Sequence, residues 1–132
     1  MNKKRVNDLL LIAKNALVEC EIAKGGKINH TFRSHISTFG AAVTMGSLPA
    51  AVAFFSEQGS ASVERDKLIT ALYYCLYNEK KTPREVLQYV CENNSIELKE
   101  KFSDAVISLK LAMNFFELKK GEKNAKSESD IQ

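Results

Sequence analysis

Residues 32–55 read FRSHISTFGAAVTMGSLPAAVAFF. Phe32, Ile36, Phe39, Gly40 and Val43 recur at helical spacing, and so do Leu48, Ala51, Val52 and Phe55. Gly46 and Ser47 stand between the two sets, and Pro49 follows just inside the second. The pattern predicts two short apolar helices joined by a tight turn. Gly46 is expected to end the first helix in a left-handed conformation, and Ser47 to cap the second. Proline is tolerated in a first turn, where its missing N–H has no intrahelical partner. Gly40, Ala41 and Ala42 are small enough to let another helix approach closely.

Working outward, the same periodicity continues in both directions. Leu9, Ile12, Ala13, Ala16, Leu17 and Cys20 form one face of a first helix, expected to end at Gly25-Gly26. Gln58 to Ser62 is expected to be a Gly/Ser loop, with a fourth helix starting near Val63. From Leu68 to Tyr77 that helix is apolar on nearly every side, which makes it the central one. Thr82-Pro83-Arg84-Glu85 has the cap, the N1 proline and the returning glutamate of a capping box. The fifth helix it opens carries Val86, Leu87, Val90 and Cys91, and stops at Asn93-Asn94. Ser95 caps the last helix, expected to run to about Lys120 and to be roughly 39 Å long. Its main stripe is Leu98, Phe102, Ala105, Val106, Leu109, Met113 and Phe116. A second stripe of Ile107, Leu111, Phe115 and Leu118 is expected to be covered by a neighbouring helix or offered to a partner. No segment reads as a strand. The fold class is therefore all-α: one compact bundle of about six helices over residues 1–120, with the apolar hairpin at 31–56. Residues 121–132 are charged and nearly free of apolar side chains, and are expected to be a disordered tail.

At 132 residues the chain can bury a full core as one domain. Its 45% hydrophobic and 27% charged content is that of a soluble globular protein, and the apolar run Leu9 to Ala13 is too short for a signal sequence or membrane span. A cytoplasmic location with no membrane partner is the expectation. Cys20, Cys75 and Cys91 are odd in number and lack metal-ligand spacing, so they read as reduced, buried thiols.

The chemistry is sparse. His30 and His35 lie about 140° apart around a helix, whereas a helical zinc pair needs i and i+4. No nucleophile-elbow, phosphate-loop or dinucleotide-binding motif is present. The reading is a non-enzyme with no catalytic residues, metal or cofactor. The charge pattern says more. The net charge is only +3, but Ile22 to Ser56 contains no Asp or Glu. Lys24, Lys27, His30 and Arg33 fall inside that window, so their field is expected to stand uncancelled and to attract phosphate. These four are the candidate RNA-binding residues, chosen from local charge.

The run Phe39 to Phe55, with Met45-Gly46-Ser47 followed by Leu48-Pro49-Ala50-Ala51-Val52-Ala53-Phe54-Phe55, resembles the signature of the type III-B CRISPR small-subunit family. In that family a tight turn of Asn-Gly-Leu type precedes a helix of L-P-x-x-L-A-F type. Met45 and Ser47 depart from the family's Asn and Leu. Helix order and length agree over about residues 5 to 118. The resemblance implies an all-helical, non-catalytic subunit. It would stack with copies of itself beside other effector subunits and help hold guide and target RNA, in antiviral defence. The type III-A small subunit is close to it in role. Two other readings compete. One is a helical protein–protein adaptor that binds no nucleic acid and uses the second stripe of the last helix. The other is a helix-turn-helix DNA-binding regulator over Thr82 to Lys110, against which Glu97, Glu100 and Asp104 at the start of the second helix would repel phosphate.

Overall fold

The run Leu68 to Tyr77 lies at the centre of the molecule. The computed structural model describes residues 1–57 and 62–120. Six helices carry the fold: α1 (Lys3–Glu19), α2 (Thr31–Met45), α3 (Leu48–Phe55), α4 (Ser62–Tyr77), α5 (Pro83–Glu92) and α6 (Ile96–Ala112). Helix α4 touches all five others, and Leu68, Ile69, Ala71, Leu72, Tyr73 and Cys75 on it are buried. Its sides are apolar because each one faces protein. The architecture is all-α in the main, as the periodicity predicts. The expected loop at 58–62, apart from Ser62, and the expected tail at 121–132 lie outside the described residues.

The apolar hairpin forms as read. Phe32, Ile36, Phe39 and Val43 of α2, and Leu48, Ala51, Val52 and Phe55 of α3, are buried. Phe39 and Phe55 meet edge to face with ring centroids 5.1 Å apart. Such a pair adds about 0.5–1.5 kcal/mol beyond the burial of its area. The Ser47 hydroxyl accepts from the Ala50 N–H at 3.2 Å. A Cβ on Gly40 would stand 3.1 Å from Val106 Cγ1, so the missing side chain is what lets α6 lie close. The expected left-handed Gly46 is corrected: its φ is −130°. Glycine fits there because a Cβ would stand 3.1 Å from the Ala42 carbonyl oxygen.

Five further expectations change. Helix α1 stops at Glu19, before Gly25-Gly26. Glu21 takes φ +59° and donates its N–H to Val18 O, while Ile22 N–H donates to Leu17 O at 2.9 Å. This is a Schellman stop with glutamate where glycine usually sits. Ile12 is 42% exposed, so it falls off the buried stripe. Helix α6 spans 17 residues, roughly 25 Å, and yields to a 3-10 turn at Met113–Phe115. Its main stripe is buried as far as Met113, whereas Leu111, Phe115 and Leu118 of the second stripe face solvent. Cys20 and Cys75 are buried thiols, but Cys91 is exposed, because α5 turns Val86 and Val90 inward and leaves Cys91 outside.

A buried polar contact joins the start of α1 to α6. Asp104 on α6 is 2% exposed. Its carboxylate accepts from Arg5 Nη1 at 2.8 Å and from the Asn2 N–H at 3.2 Å. Nearby, the buried Ser108 hydroxyl donates to the Asp104 carbonyl at 2.9 Å and to the Val6 carbonyl at 3.2 Å. These bonds fix the start of α1 against α6, the helix it packs on most extensively.

Candidate nucleic-acid interface

The link between α1 and α2 is a hairpin, which corrects the expectation of no strands. Strands β1 (Ala23–Lys24) and β2 (Lys27–Asn29) pair antiparallel around Gly25 and Gly26, whose φ values are +58° and +78°. Both signs are those of a primed two-residue turn, which glycine adopts without a Cβ penalty. A third strand, β3 (Glu117–Lys119), joins β2 in parallel. It is bounded by a bond from Glu117 N–H to Gly26 O at 2.9 Å and one from His30 N–H to Lys119 O at 2.8 Å. Ala23 and Ile28 face inward and are buried. This inward pair seats the small sheet on the bundle.

The pairing gathers the predicted residues. Lys24 lies directly opposite Lys27, and both are exposed. Like charges facing across a ladder repel, so an anion between them is favoured. His30 follows β2, half-buried, with Nδ1 donating to the Lys119 carbonyl at 3.2 Å. Arg33 lies one helical turn further along α2, and its Nη1 donates to Asn114 Oδ1 at 3.0 Å. A neutral partner positions the guanidinium and leaves its charge uncancelled. All four predicted residues therefore lie on one edge of the molecule. Lys119, beside Asn29 in the register, adds a fifth basic residue that the sequence reading missed.

The acid-free window of the sequence is not acid-free in space. Glu64, from the first turn of α4, accepts from Thr31 Oγ1 at 2.6 Å and Asn29 Nδ2 at 3.4 Å, and lies 3.1 Å from His35 Nε2. Glu117 neighbours Lys27 in the sheet register. The expectation of a wholly uncancelled field is corrected, because His35 is paired and Lys27 is partly offset. Lys24, Lys27, Arg33 and Lys119 make no ion pair with a described residue. Among the described residues, no three His, Cys, Asp or Glu side chains are placed to hold a metal ion.

Lys119 and Asn114 lie far along the chain from the residues they join, so no local pattern places them there. A signal for β3 does exist: Phe116, Glu117, Leu118 and Lys119 alternate apolar and polar, with a period of two. It was hidden by the helical stripe running into it. No helix among the described residues is long and apolar enough to cross a membrane. No protein-family model, curated protein or solved structure matches the chain.

Proposed function

We propose that this chain is a non-catalytic, RNA-contacting subunit of a ribonucleoprotein, of the kind the type III-B CRISPR small-subunit resemblance implies. The observation that carries the reading is the basic edge of Lys24, Lys27, Arg33 and Lys119, held together by the sheet and free of ion pairs with the described residues. Flexible ammonium heads and one oriented guanidinium suit phosphate oxygens. They read backbone and shape, with sequence left to base pairing between guide and target. If each of the four took one phosphate of a single strand, log K would fall against log salt with a slope of about −3.

A second observation favours protein contact. Leu11 and Val18 on α1, with Leu111, Phe115 and Leu118, are exposed apolar side chains. Lys14 Nζ lies 4.8 Å from the Phe115 ring centroid and joins the two sets into one patch. In the subunit reading this patch meets neighbouring subunits or another copy of the chain. In the adaptor reading it is the whole function. The helix-turn-helix reading draws less support, since α5 is seated on α3 and α4 while α6 is seated on α1, α2 and α4.

The test is capture of the tagged chain from its native host, split into nuclease-treated and untreated halves. The expected result is recovery of other type III-B effector subunits, with short guide RNAs in the untreated half. Recovery of unrelated proteins without guide RNA would overturn the reading and leave the adaptor.

A further inference from the structure

The first turn of α4 also carries a cation, Arg65, that no carboxylate of a described residue holds. The Arg65 guanidinium carbon lies 5.3 Å from the Phe55 ring centroid and 5.6 Å from that of Phe54. The two rings are consecutive on α3, with centroids 6.4 Å apart and planes inclined at 45°. Phe55 is fully buried and anchored edge-on to Phe39. Phe54 is 52% exposed. Arg65 is half-buried, and its Nε is buried with no hydrogen-bond acceptor among the described residues.

An arginine packed this far into protein ordinarily meets a carboxylate or carbonyl, because its five donors cost free energy when unpaired. Here ring faces hold it, through the attraction of a cation to the π system. The adjacent acid, Glu64, is occupied by Thr31, His35 and Asn29 and supplies no partner. The result is a fixed guanidinium beside an open aromatic ring. A planar ring with an anion attached fits both halves of that arrangement, whereas an isolated carboxylate would leave the ring unused.

We propose that Phe54 and Arg65 form a stacking site for one exposed base of single-stranded RNA, with the terminal nitrogens of Arg65 on the neighbouring phosphate. The inference rests on the RNA-contacting reading and extends it to a second element. Base–aromatic stacking tolerates any sequence, which suits a subunit that leaves sequence to base pairing. Glu64 ties this turn of α4 to Asn29 and Thr31, so the stacking site and the basic edge are held by the same turn.

The test uses the full chain and a short single-stranded RNA with one 2-aminopurine, followed by fluorescence quenching and anisotropy across salt. Phe54→Ala is expected to abolish the quench and weaken binding about tenfold or more. Phe54→Trp should keep both. Arg65→Gln should weaken binding and flatten the salt slope by about 0.7, the value for one phosphate contact. Arg65→Lys should restore the slope and only part of the affinity, because it lacks the planar fork. Circular dichroism melts establish that each variant is folded. Wild-type affinity and quench in Phe54→Ala and Arg65→Gln, with binding still weakened by Lys27→Glu plus Arg33→Glu, would overturn the stacking site and leave the RNA reading standing. No binding by the wild-type chain at low salt would overturn both.

Discussion

Replacing Glu21 by glycine is expected to stabilise the protein. Glu21 sits at φ +59°, where a side chain's Cβ crowds the following carbonyl oxygen. That conformation costs a residue other than glycine roughly 1–2 kcal/mol. The backbone bonds of the stop, Glu21 N–H to Val18 O and Ile22 N–H to Leu17 O, survive the substitution. So does the bond from Lys67 Nζ to the Glu21 carbonyl at 3.3 Å. The Glu21 side chain makes no ion pair with a described residue, so its removal loses little. Against the gain stands the extra freedom of glycine in the unfolded chain, about 0.5–1 kcal/mol. The net expectation is about 0.5–1 kcal/mol of stabilisation, or a rise in Tm of roughly 2–5 °C for a domain of this size. Urea denaturation followed by circular dichroism measures it, with m unchanged. Glu19 and Asp66 line the same small cleft, so relief of like-charge repulsion could mimic the effect. Glu21→Ala separates the two, because it removes the acid and keeps the Cβ. If Glu21→Ala stabilised as much as Glu21→Gly, or if Glu21→Gly destabilised, the argument from backbone strain would be wrong.

Four other outcomes follow from the same structure. Burial pushes the Cys75 thiol from 9.0 up to about 12 and the Cys20 thiol up to about 11. A raised folded pKa means stability is fully present below pH 9 and is lost as pH rises toward these values. Cys75→Ala should therefore flatten the fall in stability between pH 9 and 10 by about 1 kcal/mol, measured by denaturant titration at each pH. In the native protein at pH 8, Cys91 alone should react quickly with a thiol reagent, and prompt labelling of all three would contradict the burial. Gly46→Val should lower stability by about 1–3 kcal/mol, because its Cβ would press on the Ala42 carbonyl oxygen, and an unchanged melting temperature would refute this. Lys27→Glu with Arg33→Glu should weaken RNA binding and reduce its salt slope while leaving the melt intact; unchanged RNA-dependent assembly would show that another surface makes the contact.

Much of the fold is written in local pattern. The Ser47 and Ser95 caps, the Thr82–Glu85 capping box and the α2 and α3 stripes each depend on residues within a turn or two of one another. Such signals survive in a one-dimensional reading because the physics that makes them is itself local. Features made by distant residues were not legible. Arg5 meets Asp104, Glu64 reaches Thr31 and His35, and β3 joins β2, each across a long stretch of chain. Glu21 misled for a different reason. A glutamate in a glycine's place carries no mark of a helix stop, so Gly25-Gly26 drew that assignment although they turn a hairpin.

The candidate site follows the same division. Lys24, Lys27, His30 and Arg33 were visible because a run without acids is a property of the sequence itself. Whether such a run forms an electrostatic surface depends on what the rest of the fold brings against it. Here the fold brings both signs: Glu64 engages His35, Glu117 lies beside Lys27, and Lys119 extends the basic edge. The Glu64 contact also does something that cancellation of charge alone would not. By taking Thr31, Asn29 and His35, it pins the start of α4 to the start of α2, and Arg65, the next residue, rests on Phe54 and Phe55. The acid that weakens the basic window is thus part of what holds the second cation in place. A count of charges along the chain would score Glu64 against the proposed RNA contact, whereas its position in the fold braces the residues on which that proposal rests.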